Sequence, residues 1–167
     1  TLSGKKYHSK RNHISSFSKQ FDWHYEDIND SNLSLVKKCA EIWYNQSADR
    51  MDEELKNEMH GVSLMLDNMK RLDIKGGAII IDKKVVAFTL GSPINQSIYN
   101  IHIEKALEGF GAAYTVINRE FAARNLDNYK YINREDDLGI EGLRKSKLSY
   151  KPQIILPKYI CTKKESI

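Results

Sequence analysis

The spacing of apolar residues changes at Gly76-Gly77. Before this pair, apolar side chains recur every three or four residues, which is typical of amphipathic helices. After it, two short β-branched runs, 78–81 and 85–90, flank the polar segment 82–84, and this arrangement predicts an antiparallel hairpin. Helices followed by a hairpin must cover the faces of a sheet, so the pattern predicts an α+β or mixed α/β fold.

The rest of the chain alternates between the two periods. Apolar stripes predict helices over 7–21, 33–43, 55–69, 112–126 and 139–150. Strands are predicted over 21–28, 97–104, 129–133 and 153–162, the last at a sheet edge because Pro157 cannot donate a ladder hydrogen bond.

This element order is similar to that of the GCN5-related N-acetyltransferase (GNAT) fold, a central, mostly antiparallel sheet flanked by helices. In that fold a glycine-containing turn and a helix N-terminus, which grip phosphate, follow the third strand of the meander. Here Gly109 and Gly111 occupy that turn, but Ala106 stands where GNAT enzymes carry Gln or Arg. The alternative is an ordinary strand-to-helix turn.

Composition limits the class of protein. The 167 residues are 41% hydrophobic with a net charge of +4, which fits one domain and is too weakly basic for a dedicated DNA binder. Cys39 and Cys161 lie too far apart for a zinc ribbon, and two thiols favour a reducing, cytoplasmic location. No apolar run approaches the ~20 residues of a membrane span. Because the chain begins at Thr1, we expect a piece of a longer protein.

The third strand carries the candidate catalytic residues. Strand alternation predicts that Asn100, His102 and Glu104 share one face, while Tyr99, Ile101 and Ile103 share the other. An imidazole or a carboxylate beside an incoming amine or hydroxyl is suited to proton removal during acyl transfer. The alternative is a solvated strand face.

Charged residues around 133–147 form a second candidate region. Asn133, Arg134, Glu135 and Asp136 follow a strand end, and we predict that they contact substrate together with Asn100 and Asn118. The alternative is that Asp136 caps the next helix. No His or Cys accompanies these acids, so no metal site is predicted.

Two groups of cations are candidates for phosphate binding. Arg144 and Lys147 lie three residues apart on a helix and could clamp a phosphate or a carboxylate, unless they only form a solvated face. The N-terminal cations are typical of a nucleic-acid or anionic-lipid contact. They are Lys5, Lys6, Lys10 and Arg11.

Three runs carry a family resemblance: 4–13, 102–106 and 131–144. They resemble the bacterial family described as the C-terminal domain of phosphatidylglycerol lysyltransferase. The resemblance implies a GNAT-like fold over 1–167, forming the C-terminal half of a tandem with an N-terminal GNAT-like half. It also implies an aminoacyl-tRNA donor, and therefore tRNA as a partner. The chain lacks the membrane helices of the lipid synthases.

Together these observations predict an acyl- or aminoacyl-transferase that moves an activated acyl group to an amine or hydroxyl. Glu104, or His102 held by it, would accept the proton, and the amides of Gly109 and Gly111 would stabilise the oxyanion. Arg144 and Lys147 would hold the phosphates of acyl-coenzyme A or aminoacyl-tRNA. A non-catalytic support domain and an RNA-contacting module remain the alternatives.

Overall fold

The computed structural model describes residues 2–159 and 161–162. The strands are β1 (Trp23–Asp27), β2 (Lys75–Ile81), β3 (Lys84–Pro93), β4 (Ile98–Ala106) and β5 (Tyr131–Asn133). The helices are α1 (His8–Gln20), α2 (Leu33–Gln46), α3 (Glu53–Asp67), α4 (Ala113–Asn125) and α5 (Glu141–Leu148), with short 3₁₀ turns at Lys5–Tyr7 and Ala48–Arg50. Two compact units divide the chain between Glu135 and Asp136.

The first unit contains a sheet in the order β1-β2-β3-β4-β5, made of five strands within the described residues. Neighbouring strands are antiparallel, except that β5 runs parallel to β4. The predicted hairpin is confirmed: Ile81 pairs with Lys84 across a two-residue turn. Asp82 and Lys83 both have positive φ, 48° and 62°, as in the turns that match the twist of paired strands.

Helices bury both faces of this sheet. Ile80 of β2 packs with Val36 of α2 and Val62 of α3. Its neighbour Ile79 packs on the other face, with Phe17 of α1 and Val116 of α4. A sheet covered on both sides needs apolar residues at every position, which explains the unbroken β-branched runs after Gly77.

One extra residue interrupts the pairing of β3 with β4. Leu90 pairs with Ile103, but Gly91 pairs with Ile101, so His102 is the inserted residue of a β-bulge. A bulge reverses the alternation of side chains beyond it. Tyr99 and Ile101 accordingly pack with Phe121 of α4, whereas Ile103 packs in the cluster of α2 and α3.

The predicted faces of the third strand were therefore wrong. Tyr99 and Ile101 do not share a face with Ile103. Asn100, adjacent to Ile101, points away from α4, while Glu104 lies on the α4 side because it accepts a hydrogen bond from Asn118.

The second unit contains α5, two residues shorter at each end than predicted. The strand predicted over 153–162 is absent from the described part of that range, and residue 160 lies outside it. Pro152 and Pro157 explain the difference, since each removes a backbone donor that a ladder would use. Across the described ranges of both units, no helix combines the length and apolar character needed to cross a membrane.

Candidate functional site

β4 and β5 form a fork. They pair only between 98–100 and 131–133, and β4 then continues to Ala106 without a strand on that side among the described residues. Polar side chains from β3, β4, α1, α4 and the residues after β5 meet around this fork in two clusters.

The His102 cluster consists of Ser92, Asn100, His102 and Glu135. His102 Nε2 lies 2.8 Å from Ser92 Oγ, and its Nδ1 lies 2.9 Å from Asn100 Nδ2 and 3.4 Å from Glu135 Oε1. Asn100 Nδ2 also donates to Glu135 Oε1 at 2.6 Å. The His102 side chain is 29% exposed, so the imidazole is held by protein groups yet remains accessible to a ligand.

Two proton arrangements fit these distances. In one, Nδ1 accepts from Asn100 and Nε2–H donates to Ser92. In the other, Nδ1–H donates to Glu135 while Nε2 accepts the Ser92 hydroxyl proton. Glu135 accepts from Asn100 in both, so moving one proton between the ring nitrogens converts His102 from a donor to Ser92 into a base for it.

The backbone after β5 is shaped to aim Glu135. Glu135 has φ 55°, a left-handed conformation that costs a non-glycine residue about 1–2 kcal/mol. Asn133 compensates, because its Oδ1 accepts the Glu135 N–H at 3.1 Å. The predicted candidate Asn133 thus builds the turn that brings Glu135 to Asn100 and His102.

The Glu104 cluster consists of Lys10, Glu104, Asn118 and Arg134. Glu104 forms an ion pair with Arg134 and accepts from Asn118 Nδ2 at 2.8 Å. The pKa of Lys10 is lowered, first by burial and then by the Arg134 charge, while Glu104 opposes the change. The Glu104 carboxylate is therefore already engaged by positive and polar groups.

The clusters lie on opposite faces of the fork, linked by one peptide. Arg134 reaches Glu104 on the α4 face, and the next residue, Glu135, reaches Asn100 on the other. His102 and Glu104, predicted to act on one substrate from one face, are thus in separate networks.

A groove of ≈ 320 Å³ lies beside the β4–α4 turn. Trp43, Gln46 and Tyr114 line it together with Gly109 and Gly111. The Glu108 amide donates to Gln46 Oε1 at 3.1 Å, whereas no described residue accepts from the amides of Gly109 or Gly111. Gly109 has φ 86°, a conformation that favours glycine. These two amides are therefore open to a ligand, and anion binding by them stays a prediction.

A buried lysine supports the wall of this groove. Lys105 Nζ donates to Glu58 Oε1 at 2.6 Å and lies 3.6 Å from the centroid of the Trp43 ring. Trp43 Nε1 in turn donates to the Tyr114 hydroxyl at 3.2 Å. Sequence reasoning missed Lys105, whose charge in a strand flanked by apolar residues was the available signal.

Arg144 and Lys147 bind within their own unit. Arg144 contacts both carboxylate oxygens of Asp137, at 2.6 and 3.0 Å, and thereby lowers the pKa of that carboxyl. Lys147 Nζ donates to the Asp136 carbonyl at 2.5 Å, and Lys158 pairs with the Asp136 side chain. These contacts hold the turn before α5 and leave Arg144 little capacity for phosphate.

The N-terminal cations divide into three roles. Lys5 and Lys6 are exposed. Arg11 donates to the carbonyls of Leu2 and Gly4 at 2.8 and 2.7 Å, which fastens the segment before α1. Lys10 belongs to the Glu104 cluster. Only Lys5 and Lys6 therefore keep the open geometry expected for nucleic-acid contact.

Sequence reasoning also missed Ser92, because this residue becomes a neighbour of His102 only through the β3–β4 register.

Within the described residues, no three His, Cys, Asp or Glu side chains come together as metal ligands.

Solved structures are similar to this fold. A conserved protein of unknown function from Bacteroides thetaiotaomicron is 42% identical with a TM-score of 0.88, covering 93% of this chain and 53% of that one. A possible acetyltransferase from Clostridium difficile has a TM-score of 0.55 at 14% identity, covering 87% and 98%. Ribosomal-protein-alanine N-acetyltransferase from Brucella melitensis biovar Abortus has a TM-score of 0.59 at 7% identity, covering 84% and 99%. The fold is thus GNAT-like, as predicted.

Sequence comparison gives the family. An uncharacterized protein of Mycoplasmoides gallisepticum is 26% identical over 162 residues, which is 96% of this chain and 52% of that protein. The chain thus spans about half the length of this curated relative. The family model described as phosphatidylglycerol lysyltransferase, C-terminal, matches residues 1–162. The chain belongs to the family of phosphatidylglycerol lysyltransferase C-terminal domains.

Proposed function

We propose that the fork carries an acyl- or aminoacyl-transferase centre in which His102 accepts the proton of the attacking nucleophile. One observation carries the proposal: the partly exposed imidazole of His102 lies between a hydroxyl, Ser92, and a carboxylate, Glu135, where β4 leaves β5. The GNAT-like fold and the family support chemistry of this class.

The proton transfer follows from this geometry. An amine or hydroxyl attacks the carbonyl carbon of an activated ester or thioester, and its proton passes to His102. Glu135 stabilises the resulting imidazolium, because opposite charges at short range favour the charged form. The tetrahedral intermediate then collapses, the carbonyl–leaving-group bond breaks, and His102 returns the proton to the leaving group. Backbone N–H groups near Gly109 and Gly111 would hold the negative charge of the donor or oxyanion.

The Glu104 cluster would position this centre rather than act as its base. Arg134 is fixed by Glu104, and Arg134 precedes Glu135 directly, so holding one residue orients the next. Two cations and one carboxylate also leave a net positive charge there, which favours an anionic part of the substrate.

We propose aminoacyl-tRNA as the donor. The family description supports aminoacyl transfer, and the groove lacks the Gln or Arg expected for a coenzyme A loop at Ala106. The exposed Lys5 and Lys6 would contact tRNA phosphates. Replacing both by alanine should lower the slope of log K against log salt by about 1–2, at roughly 0.7–0.9 per phosphate contact. An unchanged slope would exclude this contact.

We also propose that residues 1–167 form one GNAT-like domain, the C-terminal half of a tandem whose N-terminal half completes the substrate site. The half-length match to the relatives supports this arrangement.

The test uses the full-length protein. A thermal-shift screen against acyl-coenzyme A and aminoacyl-tRNA identifies the donor, because a ligand of the native state raises the melting temperature. With that donor, His102→Gln should lower kcat by about 10²–10⁴-fold. Glu104→Gln should retain more activity than His102→Gln. The exposed His60 provides the control, His60→Gln. Full activity of His102→Gln would refute the assignment.

A further inference from the structure

Ser92 is a hydroxyl that the proposed proton transfer does not require. It lies in β3 opposite Asn100, is partly buried, and has its Oγ 2.8 Å from His102 Nε2. That distance is within the range for a nucleophile and its general base.

Glu135 completes the arrangement on the other side of the ring. Its Oε1 lies 3.4 Å from His102 Nδ1 and also accepts from Asn100 Nδ2, which lies 2.9 Å from the same ring nitrogen. The imidazole therefore has a hydroxyl at one nitrogen and, at the other, a carboxylate held in place by an amide. Hydroxyl, imidazole and carboxylate in this order form the constellation that activates serine for acyl transfer, on whatever fold it occurs.

Two features of the backbone bring this constellation together. The bulge inserts His102 into β4, and bulges beside active sites commonly redirect a side chain. The left-handed conformation of Glu135 directs its carboxylate back to β4.

We infer that Ser92 is the nucleophile that first receives the acyl group, an inference that rests on the proposed acyltransferase function. With Nδ1–H donating to Glu135, His102 Nε2 takes the Ser92 proton as Oγ attacks the carbonyl carbon of an activated ester. The bond to the leaving group breaks, and the leaving group takes that proton from His102. The product is an ester of Ser92.

The second half of the reaction reverses these roles. An amine or hydroxyl acceptor attacks the Ser92 ester and gives its proton to His102 Nε2. The Ser92–acyl bond breaks, and Oγ recovers the proton. When water replaces the acceptor, the same steps release a carboxylic acid, so the centre should hydrolyse activated esters slowly in the absence of an acceptor.

The experiment uses p-nitrophenyl acetate as the acyl donor and the full-length protein. We expect a burst of p-nitrophenol, and peptide mass spectrometry of the quenched reaction should find an acetyl group on Ser92. His102→Gln should reduce this labelling by about 10³-fold or more, Glu135→Gln should also reduce it, and Ser92→Ala should abolish it. The control is Ser97→Ala, at an exposed serine in the connection from β3 to β4. Wild-type protein without acetyl on Ser92, or labelling that survives His102→Gln, overturns the inference.

Transfer activity with the natural donor distinguishes failure of the Ser92 inference from failure of the proposed function. If Ser92→Ala transfers at the wild-type rate while His102→Gln does not, transfer is direct and only the Ser92 step fails. If neither variant loses transfer activity, the fork is not the catalytic centre. Circular dichroism of each variant establishes that the fold is retained.

Discussion

Gly91 should be the least replaceable glycine of the fork. A Cβ built at this position would lie 2.4 Å from the Asn100 carbonyl oxygen and 2.6 Å from Tyr99 Cε1. The first atom belongs to the backbone and the second to a ring that is 1% exposed, so neither can move aside easily. Gly91→Ala must therefore push β3 away from β4 directly beside the bulge.

The expected cost combines two opposing effects. Overpacking a close-packed site typically costs about 1–3 kcal/mol. Alanine also loses less backbone entropy on folding than glycine, which offsets about 0.5–1 kcal/mol. We expect a net loss of roughly 1–2 kcal/mol, or a fall in melting temperature of about 2–8 °C for a chain of this size.

Gly61→Ala is the matched control. Gly61 lies within α3, and a Cβ there would meet no atom within 4 Å. The same substitution should raise stability by about 1 kcal/mol, because alanine is the better helix former. Urea titrations followed by circular dichroism would measure both free energies of unfolding. If Gly91→Ala is as stable as wild type, or if the two variants shift in the same direction, the close approach at the bulge is not rigid and the reasoning is refuted.

Three further predictions concern charged and reactive groups. Glu58→Gln should lower the free energy of unfolding by about 1–3 kcal/mol, since it removes the carboxylate that lies 2.6 Å from the buried Lys105 ammonium. Adding Lys105→Met should recover most of that loss, and an additive double-mutant cycle would contradict this. The amide of Asn32 holds the pKa of Glu26 below its ordinary value, so the folded form gains stability above about pH 4.3 that is lost as pH falls through the lowered pKa. The free energy of unfolding of wild type should exceed that of Glu26→Gln by up to about 1 kcal/mol at neutral pH, and this difference should shrink as the pH falls. A difference that grows on acidification would contradict the prediction. Burial raises the pKa of the Cys39 thiol to about 12, so iodoacetamide should modify Cys39 only in unfolded protein, as peptide mass spectrometry would measure.

Element order was predictable because it rests on local periodicity. The hairpin between β2 and β3 followed from two β-branched runs around a polar turn, and the antiparallel pairing of these runs confirms it. The face of the His102 side chain was not predictable in the same way. A bulge adds one residue to one strand only, and the composition of 98–106 is the same whether or not the pairing slips at Leu90.

Two patterns in the sequence around Lys10 indicate different positions for its side chain. Its neighbours in sequence are basic, which favours a solvated face and a nucleic-acid contact. Lys10 is nevertheless four and seven residues before Ile14 and Phe17, both of which pack in the core cluster with α4. Helical spacing therefore places Lys10 on the inward side of α1, as its partial burial beside Arg134 and Glu104 bears out.

The bulge has a consequence that neither cluster shows alone. With regular pairing, His102 and Glu104 would lie on one face and compete for the same positions. The inserted residue instead places Glu104 on the α4 side. Arg134 pairs with Glu104 on that side, and the next residue, Glu135, accepts from Asn100 on the other. The two clusters are therefore joined by the single peptide bond between Arg134 and Glu135, and each of these side chains is held by a β4 residue.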